Sequence, residues 1–489
     1  MGKMKMAAFG LTCALVVAGA AGCSQGASTG ATNAGNANGA GNASNAAANT
    51  AQQAAVDLAS QRLADGDIAT TTSYENAADG EHALVADGQT AEYSHFTVTK
   101  TGEADGDEAD FYGSNAAVFA TNKATLTLSD AIVETAGKHA NGVFSYGEGT
   151  TVNISHSIIR TTGNCSGGLM TTGGGTMNAT DVTAETTGNS SAAIRSDRGG
   201  GDVNVTGGYF TTAGTGSPVI YSTADISVEG AYLQSTSSQG VVVEGKNSVA
   251  LKNCELIASN TSKNSDKSDV FQAVMIYQSM SGDASTGTSS FSMDGGTLTN
   301  ANGDIFFVNN TSCEVTLSGA TIVNNDASGN FLRAEAAGWG STGSNGGKIN
   351  MFAKSQVIDG NMLVDSVSAL NLYLAEGSAF EGAINPDGQE GSVYVELDAN
   401  STWKLTGDSY VTALTCASGS IDLNGHKLFV NGVEYQAGSA STGDAVSIAS
   451  EGGSSHGGGD APGDKPDGNG GSGAGGSGAG GSEPPAKPE

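Results

Sequence analysis

LTLSDAIVETAG (126–137), VNISHSIIRTTG (152–163), MNATDVTAETTG (177–188) and VNVTGGYFTTAG (203–214) are four copies of one pattern, which ISVEGAYLQSTS (226–237) and VALKNCELIASN (249–260) continue. Their starts lie about 23 to 26 residues apart, the spacing of a solenoid. Weaker copies start at Phe291, Val315, Ile349 and Leu370, and the longer gaps before Phe291 and Ile349 hold polar residues, as insertions looping out of a turn would. Within a copy, apolar residues alternate with polar ones and then meet Ser or Thr with Asp, Gly or Asn, so a short strand ends at a corner. A second strand turns a small residue (Ala131, Ser157, Val182, Gly208, Ala231, Cys254) and then a larger apolar one (Val133, Ile159, Phe210, Leu233, Leu256) inward, with Ala184 the small exception.

A third strand follows: VFSY from Val143, LMTT from Leu169, AIRS from Ala193, VIYS from Val219, VVVE from Val241, VMIY from Val274, IFFV from Ile305 and FLRA from Phe331. Three strands per turn of about 24 residues, with Gly-rich corners and no crossing helix, close only as a coil of parallel sheets. The predicted fold is therefore all-β, a single-stranded right-handed parallel β-helix with disordered tails at both ends. The reading places Phe144, Met170, Ile194, Ile220 and Val242 inward. Val143, Leu169, Val219, Val241, Val274, Ile305 and Phe331 then form an outer apolar stripe beside Arg195 and Arg333, to be covered by insertions at 262–283 and 335–347 that include Trp339, or by a partner. Cys165 and Cys254 stand about four turns, roughly 19 Å, apart, beyond disulfide reach, so the thiols of the coil are expected to be free and buried. No CxxC or Cys/His cluster stands in the sequence, which argues against a structural zinc.

Outward from the repeat, Ser24 to Asn49 and Gly452 to Glu489 contain nothing that buries a core. Lys3 and Lys5 precede an uncharged run from Met6 to Gly22 that reads as an export signal, and Ala20-Ala21-Gly22-Cys23 resembles a bacterial lipobox, with Ala20 where Leu is usual. The expected organisation is a signal peptide at 1–22, a tether at 23–50 with lipid on Cys23, a cap region at 51–90 with a short helix at 51–64, the coil at 91–445 and a Gly/Ser/Pro-rich tail at 446–489. The formal charge of −30, with only 20 Lys and Arg, argues against nucleic acid and anionic surfaces as partners.

The turns resemble right-handed parallel β-helix proteins of the pectate-lyase-like kind. NGVFSYGEG (141–149), AAIRSDRGGG (192–201), VVVEGKNSV (241–249) and MIYQSMSGD (275–283) are similar to an adhesin-like, carbohydrate-binding group of surface proteins of anaerobic gut bacteria. The resemblance covers about 90–438 and implies fold far more than activity.

Arg195 with Asp197 and Arg198 is the one constellation on the third strand that looks like a site, and it reads more readily as an ion pair stapling adjacent turns. His139 and His156 fall on neighbouring turns and read as surface residues. Asp105, Asp107 and Asp110 alternate in an acidic run that could hold calcium, the one cofactor the sequence suggests, and that reads otherwise as a solvated insertion. Tyr209 and Tyr232 take one outward place on consecutive turns and could stack on sugars or on each other. No catalytic residue is assigned. The leading expectation is a lipid-anchored, cell-surface adhesin-like or glycan-binding protein whose partner is a neutral glycan or a surface protein. Its rivals are a polysaccharide lyase or glycoside hydrolase, which requires three or more carboxylates converging in one groove, and a passive spacer. Oligomeric state is left open.

Overall fold

A computed structural model describes residues 58–448 apart from Asn264 and Gln389. The leader, Cys23, the tether and everything after 448 lie outside the described residues. The repeats pair in the expected order and always in parallel: Leu126 with Val152, Val152 with Met177, Met177 with Val203, Val203 with Ile226 and Ile226 with Val249. The chain is a parallel β-helix. First and second strands share a sheet of 19 strands, and the third strands stack into a sheet of 11. Ile349 and Leu370 align with Cys313, two residues before Val315, and this shift keeps every side chain on its expected face because the period is two.

Two corners explain the repeated pattern. The first is a residue of positive φ between the two strands of the larger sheet: His95, Asp130, His156 and Asp181, then Gly207, Gly230, Asn253, Gly295 and Gly319. One left-handed residue redirects the chain without ending the ladder, and Gly, Asn, Asp and His tolerate that conformation best. Within the longest strands, such as Thr125–Thr135 and Thr151–Thr161, the pairing continues on both sides of it. The second corner is Thr-x-Gly. At Gly137, Gly163, Gly188 and Gly214 the position a Cβ would occupy lies within about 2 Å of the carbonyl oxygen of the matching glycine one turn earlier, so only glycine fits. Ser166, Ser191 and Ser217 then hold adjacent turns together. Ser191 Oγ accepts from the Ser166 amide at 2.9 Å and donates to the Gly163 carbonyl at 3.1 Å, and Ser217 repeats the scheme.

Inside the coil, like residues stack in columns, as at Val133–Ile159 and Phe210–Leu233–Leu256, and they form one continuous core. Each fully buried Val, Leu, Ile or Phe contributes roughly 1.5–3 kcal/mol of transfer free energy. Cys165, Cys254, Cys313 and Cys416 are buried and form no disulfide among the described residues.

The facing of the third strand matches the expectation at Ile194, Ile220, Arg195 and Arg333 and departs from it by one residue elsewhere. Val143, Leu169, Ile194, Ile220, Val241 and Val274 form one column turned into the core. Phe144, Met170, Arg195, Tyr221, Val242, Met275, Phe307 and Arg333 form the outward column. Phe144, Met170 and Val242 were therefore placed on the wrong face, as were Val143, Leu169, Val219, Val241, Val274, Ile305 and Phe331, all of which belong to the core. These strands are apolar on both faces and carry no alternation from which a facing could be read.

Apart from Arg195 and Arg333, the outward column is apolar, and the chain's own insertions cover it. Trp339 packs edge-on to Tyr277, with centroids 5.3 Å apart, in a cluster with Tyr221, Val242, Met275 and Phe307. Nearer the N-terminus, Ala116 and Phe119 join Phe144 and Met170 in a second cluster.

The coil starts inside the stretch expected to be a cap: Thr72–Asn76 pairs with the strand containing Phe96, and Leu84–Asp87 pairs with Val118–Thr121. Residues 58–68 are instead a strap along the outside. Gln61 bonds Gly208 and Gly230, the Leu63 amide donates to Thr183 Oγ1, and Arg62 meets Glu185 at 2.7 Å. Of the short helix expected at 51–64, only Leu58 and Ala59 are helical among the described residues. At the other end Leu428–Val430 and Val433–Glu434 pair antiparallel and Cys416 makes an antiparallel bridge to Ser441, whereas the other strand pairings among the described residues are parallel.

Candidate functional site

The position two residues after each Thr-x-Gly glycine is again left-handed, and it holds His139, Cys165, Ser190 and Gly216 on four consecutive turns. Backbone bonds set the stack: the His139 amide donates to the Asn164 carbonyl at 2.9 Å and the Cys165 amide to the Asn189 carbonyl at 2.8 Å. The insertion at 103–115 carries a short helix, Asp107–Asp110, which lowers Asp110 onto this corner. Asp110 Oδ1 lies 3.1 Å from His139 Nδ1, and the imidazole is wholly buried. Asp110, His139 and Cys165 bring one ligand atom each to within 4.8 Å of one another, the single such group among the described residues. The expectation of His139 as a surface residue beside His156 is corrected: its imidazole is buried, and His156 belongs to the other corner, where it meets Asp130 at 2.7 Å. The expected lack of a Cys/His cluster is corrected here: aligning Thr135-x-Gly137-x-His139 with Thr161-x-Gly163-x-Cys165 would have stacked the two.

Beside this corner stand Arg195, Asp197 and Arg198, the constellation singled out from sequence. Arg195 Nη2 reaches Asp197 at 2.7 Å and Asp110 at 3.6 Å. Arg198 meets Asp283 at 2.5 Å and Asp107 at 2.9 Å, and its guanidinium sits 3.7 Å above the Phe111 ring. Burial pushes the Asp197 carboxyl up to about 7 against the pull of Arg195. The two arginines clamp the insertion and the 278–285 loop onto the coil, so the cluster works as a fastener. Next to it the fully buried Glu244 accepts from Tyr221 at 2.5 Å, from Tyr277 at 2.9 Å and from Ser279, and burial holds its carboxyl above the ordinary range.

The calcium reading of the acidic run does not survive this geometry. Asp105 turns to Lys138, Asp107 to Arg198 and Asp110 to His139 and Arg195, so each carboxylate faces a different partner and the three share no common centre. Tyr209 and Tyr232 do stack, with centroids 4.8 Å apart and planes within 3°. Face-to-face stacking spends the surfaces a sugar would use, and Gln61 of the strap crosses at Gly208 and Gly230 beside them. The pair stabilises the sheet.

A more open site lies further along the outward column. Arg333, Glu335, Asp365, Asn385, Asp387 and Glu390 line a cleft of about 200 Å³. Arg333 Nε donates to buried Asp304 at 2.6 Å, and Nη1 reaches Glu335 at 3.2 Å. Asp365 accepts from the Ala336 amide and Ser368 Oγ, which fixes the rim. Asn385, 6 % exposed, accepts from the Val364 amide at 2.7 Å through Oδ1, while its Nδ2 has no hydrogen-bond partner among the described residues. Burial raises the Glu335 carboxyl. Arg333 is expected outward from its strand, but Asp365, Asn385, Asp387 and Glu390 arrive from the next two turns, where the repeat is weakest and offers no alignment to find them.

No family model matches the chain, and neither a curated protein nor a solved structure matches it.

Proposed function

We propose that this is a lipid-anchored, cell-surface β-helix protein that binds a neutral glycan, and that the Arg333 cleft is where the sugar sits. The observation carrying the proposal is the donor of Asn385, buried and without a partner among the described residues, in a cleft that also holds Arg333 and four carboxylates. A buried amide donor left unbonded costs about 1–3 kcal/mol, which a ligand acceptor recovers. A bare cation leaves that donor unmet, and an anion opposes the carboxylates. A sugar hydroxyl accepts from Asn385 while its neighbours donate to Glu335 or Asp365. The overall negative charge likewise favours neutral over acidic glycans. The leader ending at Gly22, the lipid-bearing Cys23 and the small-residue spacer after it support display at a surface, where many tethered copies turn weak single contacts into avidity.

A glycan array probed with and without calcium tests the reading. Binding to neutral glycans is expected, at least tenfold weaker for Asn385→Asp, which keeps the bond to the Val364 amide and removes the donor. An array with no bound glycan, or binding indifferent to that change, defeats it.

Turnover of the same ligand is a second reading, favoured by the convergence of four carboxylates with Glu335 shifted toward the protonated form. Release of new reducing ends or unsaturated products, abolished by Glu335→Gln with binding retained, would establish it.

A further inference from the structure

We propose that Asp110, His139 and Cys165 form a binding site for a thiophilic divalent metal ion, zinc by preference. Thiolate, imidazole and carboxylate make a borderline-soft donor set that hard ions such as calcium do not select, whereas zinc takes all three. The coil preorganises two of the ligands: His139 and Cys165 occupy the same left-handed corner position on adjacent turns, with the His139 amide bonded to the carbonyl next to Cys165. The insertion supplies the third from its short helix.

The second, independent observation is the imidazole itself. His139 is 0 % exposed, and among the described residues neither ring nitrogen has a hydrogen bond. Nδ1 and Asp110 Oδ1 stand 3.1 Å apart without hydrogen-bonding geometry. Two ligand atoms each ~2.0–2.1 Å from a tetrahedral ion lie roughly 3.4 Å from each other, close to this separation. A buried histidine in a merely structural corner would bond one nitrogen to backbone. Here both nitrogens lack such bonds, while a carboxylate and a thiol lie within 4.8 Å.

The charges fit. Zinc with the Cys165 thiolate and the Asp110 carboxylate is neutral, leaving Arg195 to Asp197 and Arg198 to Asp283 as closed pairs. Binding forms the metal–sulfur bond and passes the thiol proton to solvent, so affinity rises with pH. Three protein ligands leave one coordination position for water.

Cobalt(II) serves as a spectroscopic probe of the full chain, purified metal-free under reducing conditions, with zinc competition to rank affinity. One equivalent of cobalt is expected to raise a thiolate-to-metal charge-transfer band that zinc displaces. Cys165→Ser should remove the band, Asp110→Asn should weaken binding at least tenfold, and Cys254→Ser, at a buried thiol elsewhere, should leave it intact. Circular dichroism of each variant separates lost binding from lost folding, and Asp110→Asn keeps the test open if Cys165→Ser fails to fold, because the insertion lies outside the coil. No band with the native chain, a band that survives Cys165→Ser, or binding unchanged in folded Asp110→Asn each overturns the site.

Discussion

At Gly188 a methyl group would sit 1.9 Å from the Gly163 carbonyl oxygen, with no flexible side chain to yield. Gly188→Ala is therefore expected to cost about 1–3 kcal/mol by overpacking or to abolish folding. Gly66→Ala, where nothing lies within 4 Å, should change stability by less than ~0.5 kcal/mol; urea melts of the two compare them directly. Glu244 makes a pH prediction. Its carboxyl is raised in the folded state, so the native protein holds that proton more tightly than the unfolded chain, and its contribution to stability falls as pH climbs above the ordinary glutamate value of 4.5. Glu244→Gln cannot lose that proton. Relative to the variant, the wild type should lose thermal stability with rising pH from about 4.5 up to the raised folded value, and a constant difference between the two melting curves would refute the assignment. Residue-level legibility was uneven for a physical reason. The corner glycines announce themselves because no other residue fits, whereas Asn385 and Asp110 owe their surroundings to neighbouring turns that local sequence does not name.

The inserted segments behave as elements in their own right. Trp339 is 2 % exposed against Tyr277 and the apolar column below it, so Trp339→Ala should cost about 3–5 kcal/mol, readable by denaturant melts. Covering an apolar sheet face is what the 335–347 insertion was expected to do, and it does so, although the residues beneath it differ by one from those anticipated. The first two strands of each turn were readable because polar and apolar residues alternate along them. The third was readable as a strand, but its facing came out right only beside a charge, at Ile194 with Arg195 and at Arg333, and at Ile220 on the next turn; the purely apolar copies around them offer no alternation to fix it. The strap at 58–68 escaped because its partners, Thr183, Glu185, Gly208 and Gly230, lie more than a hundred residues away.

Across the whole coil, each turn meets only its neighbours, so stability is close to a sum over turns and interfaces. Hydrogen exchange should report this as a gradient. Amides of Thr151–Thr161, paired on both sides in long strands, should exchange more slowly than those of Leu428–Val430, where the last pairs are few. Uniform protection from one end to the other would contradict the additive picture. The architecture was legible because repetition amplifies a weak local pattern through many copies, while each site is built from departures from the repeat. The reversed strand at Val433–Glu434 has a consequence for self-association. A coil of like-directed rungs invites another molecule to continue it into an ever-lengthening polymer, as exposed sheet edges do. With one rung of that sheet running backwards, its last edge no longer carries the polarity an incoming molecule would have to copy, and that sheet opposes growth into fibres.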